Sequence, residues 1–236
     1  MADQLYLSLW YPDFRLEALP PALVGLLRQF ARIAKADQTA VREDQPSSRE
    51  NPSHAELGRV LAASAYPIDW TESPTYQRIY VNDERAQQSA DTEGSIIENA
   101  VAEATAQLHD DMAYEFEMCW MLWMPPDNLQ NEGSLNTMWR LEPVRVKITG
   151  FGPEFDAASY EQNGHIRVDF GLDTPWTLED QSVGQNAAER IRQNVERLLA
   201  FTLSVEKHCG ISSRLLWTES GEPLAEKLVA RLQRLN

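Results

Sequence analysis

Cysteine, histidine, nucleotide-binding motifs and long apolar runs are what this 236-residue sequence has least of, and each shortage closes a class of function. The two cysteines, Cys119 inside an apolar run and Cys209 near the end of an expected helix, are too few for a disulfide framework and lack metal-ligand spacing. They fit a reducing compartment. The four histidines, His54, His109, His165 and His208, are scattered without HxH or HExxH spacing. His109-Asp110-Asp111 is the only dense group. It could be half of a metal-dependent hydrolase site, but the remaining ligands are not recognisable, and a polar helix end explains it as well. No GxSxG is present. Ser220 falls on an expected strand-to-helix turn, where Gly221 and Pro223 account for the segment as a tight turn and a helix start. Phosphate loops of the GxxxxGK[ST] and GxGxxG types are also missing, and residues Gly150 to Pro153 read as a plain turn. We therefore assign no catalytic residue, no metal and no cofactor from the sequence.

Apolar runs never approach the roughly 20 residues needed to span a bilayer. The opening residues, from Met1 to Phe14, have an acid at position 3 and no basic segment before their apolar run, unlike a secretory signal or transit peptide. The expectation is a cytoplasmic protein without a membrane span.

Basic residues are scarce where acidic ones are dense. The chain carries 21 Lys and Arg against 36 Asp and Glu, a net −15. From Asp83 to Glu117 there are ten acids (Asp83, Glu84, Asp91, Glu93, Glu98, Glu103, Asp110, Asp111, Glu115, Glu117) against the single base Arg85, a net −9. Such a field repels phosphate backbones and anionic membranes and attracts a basic protein; an acidic surface also simply promotes solubility.

What the sequence does contain is a clear succession of elements. Leu5, Leu7, Leu9 and Tyr11 alternate with Tyr6, Ser8 and Trp10 as a strand that stops at Pro12. Pro20 and Pro21 suit a first helical turn, and Leu23, Leu26, Leu27, Phe30 and Ile33 form an apolar stripe. Residues 36–52 are polar and aperiodic and read as a mobile loop. Ser53 with Glu56 has the spacing of a capping box that would start a short helix through Ala63. A short extended piece over Tyr66 to Trp70 and a strand over Gln77 to Val81 follow. Ser95 with Glu98 caps a helix using Ile96, Ile97, Ala100, Val101, Ala104 and Leu108. That helix leads to Tyr114 to Met124, where Tyr114, Phe116 and Met118 alternate with Glu115 and Glu117 before Cys119 to Met124 turn apolar on both faces. This is a central strand passing from a half-wet zone into one covered on both sides. Further strands are expected at Val144 to Thr149, Ile166 to Phe170 and Ser213 to Thr218. A helix is expected over Asn186 to His208, with Gly210 as its left-handed end residue, and a last helix from Pro223 along Leu224, Leu228, Leu232 and Leu235.

The fold class that follows is α+β, a mostly antiparallel central sheet with amphipathic helices packed on it. Two halves, 1–126 and 137–236, echo one another: Trp10 to Phe14 and Phe151 to Phe155 share a turn pattern, and each half continues with a strand, a helix and a strand with tryptophan near its end. Read as a duplication, this gives two pseudo-symmetric, split β-α-β-like halves. Read as coincidence, it gives one continuous domain. The repeated Trp-Thr-Glu-Ser at Trp70 and Trp217 stands at different places in the two halves and argues coincidence.

Seven tryptophans are many for this length. Trp70, Trp139 and Trp176 fall in expected loops or element ends, where such rings anchor interfaces or cap cores; Trp120 and Trp123 read as core. Together these features point to a non-catalytic cytosolic binding protein, of inhibitor or immunity type, that meets a basic partner through the ten acids and Trp70. The alternative is an enzyme or small-ligand binder with a cleft between the halves, lined by His165, Trp176, Trp217 and Glu219.

Overall fold

The computed structural model describes residues 3–44, 57–67, 77–79, 92–125, 139–156, 163–177 and 185–220. Among them a seven-stranded sheet runs in the order β3-β2-β4-β5-β6-β1-β7, every neighbouring pair antiparallel. Its strands are β1 (Gln4–Trp10), β2 (Ala62–Pro67), β3 (Gln77–Ile79), β4 (Met112–Met124), β5 (Arg140–Phe151), β6 (Ile166–Leu172) and β7 (Ser213–Thr218). Helices α1 (Leu19–Asp44), α2 (Thr92–Ala104) and α3 (Gln185–His208) complete an α+β fold, together with single helical turns at Leu16–Ala18 and Thr174–Thr177.

The period-2 pattern decides which side of the sheet is dry. Leu5, Leu7 and Leu9 of β1, Phe116, Met118, Trp120 and Leu122 of β4, Val146 and Ile148 of β5, and Ile166 and Val168 of β6 are all fully buried. They share one cluster with the stripe of α1 (Leu19, Leu23, Leu26, Leu27, Phe30), with Ile97 and Val101 of α2, and with Ile191, Val195, Leu198 and Phe201 of α3. All three helices thus pack on one face. At its centre Trp120 stands 5.2 Å from Phe30, 5.4 Å from Phe170 and 6.4 Å from both Phe201 and Trp176, measured between ring centroids. Rings so placed dominate core energetics.

The opposite face is polar over much of its width. Register places Glu117, Lys147, Asp169, Tyr6 and Trp217 in one row and Glu115, Thr149, Arg167, Ser8 and Leu215 in the next. Toward the end of β4 this face changes character, because Cys119 and Met121 are buried beneath Leu57, with Leu61 and Leu141 packed alongside. The switch expected within the Tyr114 to Met124 run, from wet on one side to covered on both, is therefore present.

Three expectations are corrected. The loop expected from Ala36 is helical as far as Asp44, since adding a turn to an anchored helix needs no new nucleation; residues 45–52 lie outside the described set. The short helix expected through Ala63 has its start, Ser53 to Glu56, outside the described residues, and its remainder is replaced by irregular backbone at 57–61 and strand β2 from Ala62. Here pairing with the waiting edge of β4, Ala63 opposite Phe116 and Ala65 opposite Tyr114, outweighs the helix preference of alanine. Helix α2 begins at Thr92, three residues ahead of the capping-box serine, and ends at Ala104 rather than Leu108. The final helix expected from Pro223 lies outside the described residues.

The proposed halves share a single sheet. β1 sits between β6 and β7, so the first strand of the N-terminal half is surrounded by strands of the other. Both echoed turns nonetheless follow strand ends, after Trp10 and after Phe151.

Candidate functional site

Of the ten acids singled out, Asp83, Glu84 and Asp91 lie outside the described residues, as does Trp70, and for Glu93 only its helical backbone is described. The other six separate into two groups. Glu115 and Glu117 do not contribute to an open acidic face: they lie on the polar side of β4, largely covered, with Glu115 3.2 Å from Lys147 and Glu117 3.0 Å from Arg145. Register explains this, because β5 presents its bases on that same side.

Glu98, Glu103, Asp110 and Asp111 are exposed. Glu98 is paired with Arg28 of α1, a solvent-exposed contact of small energetic value. Glu103 lies in the last turn of α2, and Asp110 and Asp111 occupy the loop from Thr105 to Asp111 that leads into β4.

That loop is fastened on two sides. The hydroxyl of Tyr114, whose side chain is in the core, accepts the His109 N–H at 2.9 Å and donates to the Gln107 carbonyl at 3.0 Å. Burial pushes the Tyr114 pKa up; the His109 N–H works against this, and Asp111 and Asp110 add to the rise. From the other side the turn after β5 grips the loop: Glu154 N–H donates to the Asp110 carbonyl and Gly152 N–H to the Met112 carbonyl, each at 2.8 Å. The two aspartates are thus carried on an ordered backbone and project to solvent, an arrangement that lowers the ordering cost of recognition. The sequence held a signal for this fastening, since a buried tyrosine hydroxyl needs a partner, but not the partner's identity.

The four residues of the alternative pocket do not converge. Trp176 is fully buried on the helix side of the sheet, its indole N–H donating to the Asn194 carbonyl at 3.2 Å. Trp217 and Glu219 belong to the opposite face. There the Trp217 indole N–H donates to Ser8 Oγ at 2.9 Å, its ring lies 4.7 Å from that of Tyr6, and the Tyr6 hydroxyl donates to Glu219 at 3.3 Å. Burial, with the charges of Asp169 and Glu219, pushes the Tyr6 pKa up to about 12. Arg167 stands between two rings, 5.2 Å from Tyr6 and 5.3 Å from Phe151. His165 is half-buried at the end of β1, stacked on Phe14 at 4.2 Å. Trp139 is partly buried against the main core, and Trp123, expected in the core, is half-buried and outside that cluster.

Both cysteines are free thiols; Cys119 is buried, and burial pushes Cys209 up to about 11, where attack as a thiolate is disfavoured. Among the described residues no group of three or more His, Cys, Asp or Glu side chains could hold a metal ion, and no helix is long and apolar enough to cross a membrane. Comparison with protein-family models, with curated proteins and with solved structures returns no match to this chain.

Proposed function

We propose that this chain is a non-catalytic, cytosolic protein-binding protein of the inhibitor or immunity type, which meets a basic protein partner through the acidic region around the end of α2 and the loop that follows. The observation that carries this reading is the fastened loop, where Asp110 and Asp111 stand exposed on backbone held by Tyr114, Gly152 and Glu154, with Glu103 nearby in sequence. Fixed charges aimed at solvent favour fast, selective encounter with an opposite charge, and the net −15 disfavours nucleic acid and anionic lipid as partners. Glu115 and Glu117, neutralised by Lys147 and Arg145, act in this reading as support for the strand rather than as contacts.

Affinity capture from the native cell tests it. The wild-type chain should retain a basic protein at low salt and release it as salt rises. Reversing Glu103, Asp110 and Asp111 to lysine should weaken that binding by about tenfold or more. A control with Glu196 and Glu206 reversed, two exposed acids of α3, should bind as the wild type does. Equal capture by all three proteins, or a salt-insensitive ligand, would sink the proposal.

A further inference from the structure

β4 is longer than its neighbour β2, which pairs only with Met112 to Glu117. Beyond that point the odd-numbered residues of β4 continue to direct their backbone groups toward the β2 side. The first two carbonyls are met by irregular backbone, Glu117 by the Leu61 N–H at 2.8 Å and Cys119 by the Gly58 N–H at 3.0 Å. Then α3 takes over. The Arg197 guanidinium donates to the Met121 carbonyl. At Trp123 the Asn194 carboxamide does both jobs of a paired strand: its Oδ1 accepts the Trp123 N–H at 2.9 Å, and its Nδ2 donates to the Trp123 carbonyl at 2.7 Å.

Asn194 is itself fully buried, and Nδ2 also donates to the Pro175 carbonyl at 3.0 Å, so the amide is fixed in orientation. The Trp123 ring is held against the same helix, with Arg190 3.5 Å over its face and Gln193 accepting its indole N–H at 2.7 Å. In sequence Asn194 lies on the apolar stripe between Ile191 and Val195, a position where a polar side chain demands a buried partner.

We propose that Asn194 and Arg197 form an edge seal, a substitute for a neighbouring strand that closes the Cys119–Met124 half of β4 against strand addition by a second copy of the chain. The occupant follows from the composition of the edge. Cys119 to Met124 is uncharged, proline-free and rich in aromatic and long apolar side chains, the kind of segment that pairs with copies of itself once its backbone is open. The acids that repel other copies lie elsewhere on the chain, so the seal is the local protection.

The test compares Asn194→Ala/Arg197→Ala with Val195→Ala, which trims the core from the same helix without touching the edge, under conditions where both have the same unfolded fraction. The double variant should exchange its Trp123 amide proton about tenfold faster than the wild type. In sedimentation it should form concentration-dependent assemblies that bind thioflavin, while Val195→Ala does not. A double variant of wild-type size, or equal assembly by Val195→Ala, overturns the proposal. Should the double variant fail to fold, Arg197→Met, which keeps the packed stem and removes the bond to the Met121 carbonyl, is judged by assembly on the same terms.

Discussion

His165 is held in the structure as a hydrogen-bond acceptor. Its Nδ1 receives the Tyr11 N–H at 3.0 Å, its backbone N–H donates to the Leu9 carbonyl at 2.9 Å, and its backbone carbonyl accepts from the Phe151 N–H at 3.0 Å. Burial keeps the ring below its ordinary pKa of 6.5. Because the folded value is the lower one, the stabilisation is complete above the unfolded pKa and is lost as pH falls through the folded value. Denaturant midpoints should therefore decline from neutral into mildly acidic solution, and His165→Asn, which retains an acceptor without titrating, should flatten that decline; an unchanged slope counts against this account. Trp120 poses a different problem: its indole N–H is buried with no hydrogen-bond partner among the described residues. Trp120→Ala should cost about 3–5 kcal/mol of unfolding free energy, whereas Trp120→Phe should cost only about 1–2 kcal/mol, because the smaller ring leaves a void but also removes the stranded donor. Equal losses in chemical denaturation would show that the donor is satisfied after all.

Turns and ends depend on two glycines for different reasons. Gly210 follows α3 with φ +62° and open space around it, so alanine there meets only backbone strain, about 1 kcal/mol. Gly152 has no such dihedral, yet a Cβ would stand 2.3 Å from the Asp110 carbonyl oxygen. Gly152→Ala must therefore push the turn after β5 away from the acidic loop; its stability loss, read from thermal unfolding, should exceed that of Gly210→Ala and be accompanied by weaker partner binding. The Gly210 helix end was legible from sequence because the α3 stripe stops cleanly before it. The role of Gly152 was not, since it arises from a loop some forty positions away. The same distinction separates β4, whose alternation announced it, from β2, whose Ala62 and Ala63 read as the end of a helix until the edge of β4 is there to pair with them.

The acidic excess belongs to the molecule as a whole, and with a pI near 4.7 the chain should lose colloidal repulsion there and show minimum solubility, checked by light scattering across a pH series. Scattering that does not rise near that pH would mean that local patches, not net charge, govern association. The buried faces of β1, β4 and β6 and the stripes of α1 and α3 could all be read along the chain, because periods of 2 and 3.6 are local consequences of backbone geometry. Which acids stay exposed could not be read in this way. Glu115 and Glu117 look like their neighbours in sequence, but β5 brings Lys147 and Arg145 to the same face, whereas Asp110 and Asp111 are lifted clear on a loop fastened by Tyr114. The alternative pocket failed for a related reason, as Trp176 and Trp217 were dealt to opposite sides of one sheet. The chain's own letters therefore settled its strongly periodic elements, its core stripes and its charge. Strand order, register and the fastening of loops settled which charges remain available, because those depend on residues far apart in the chain meeting across a sheet.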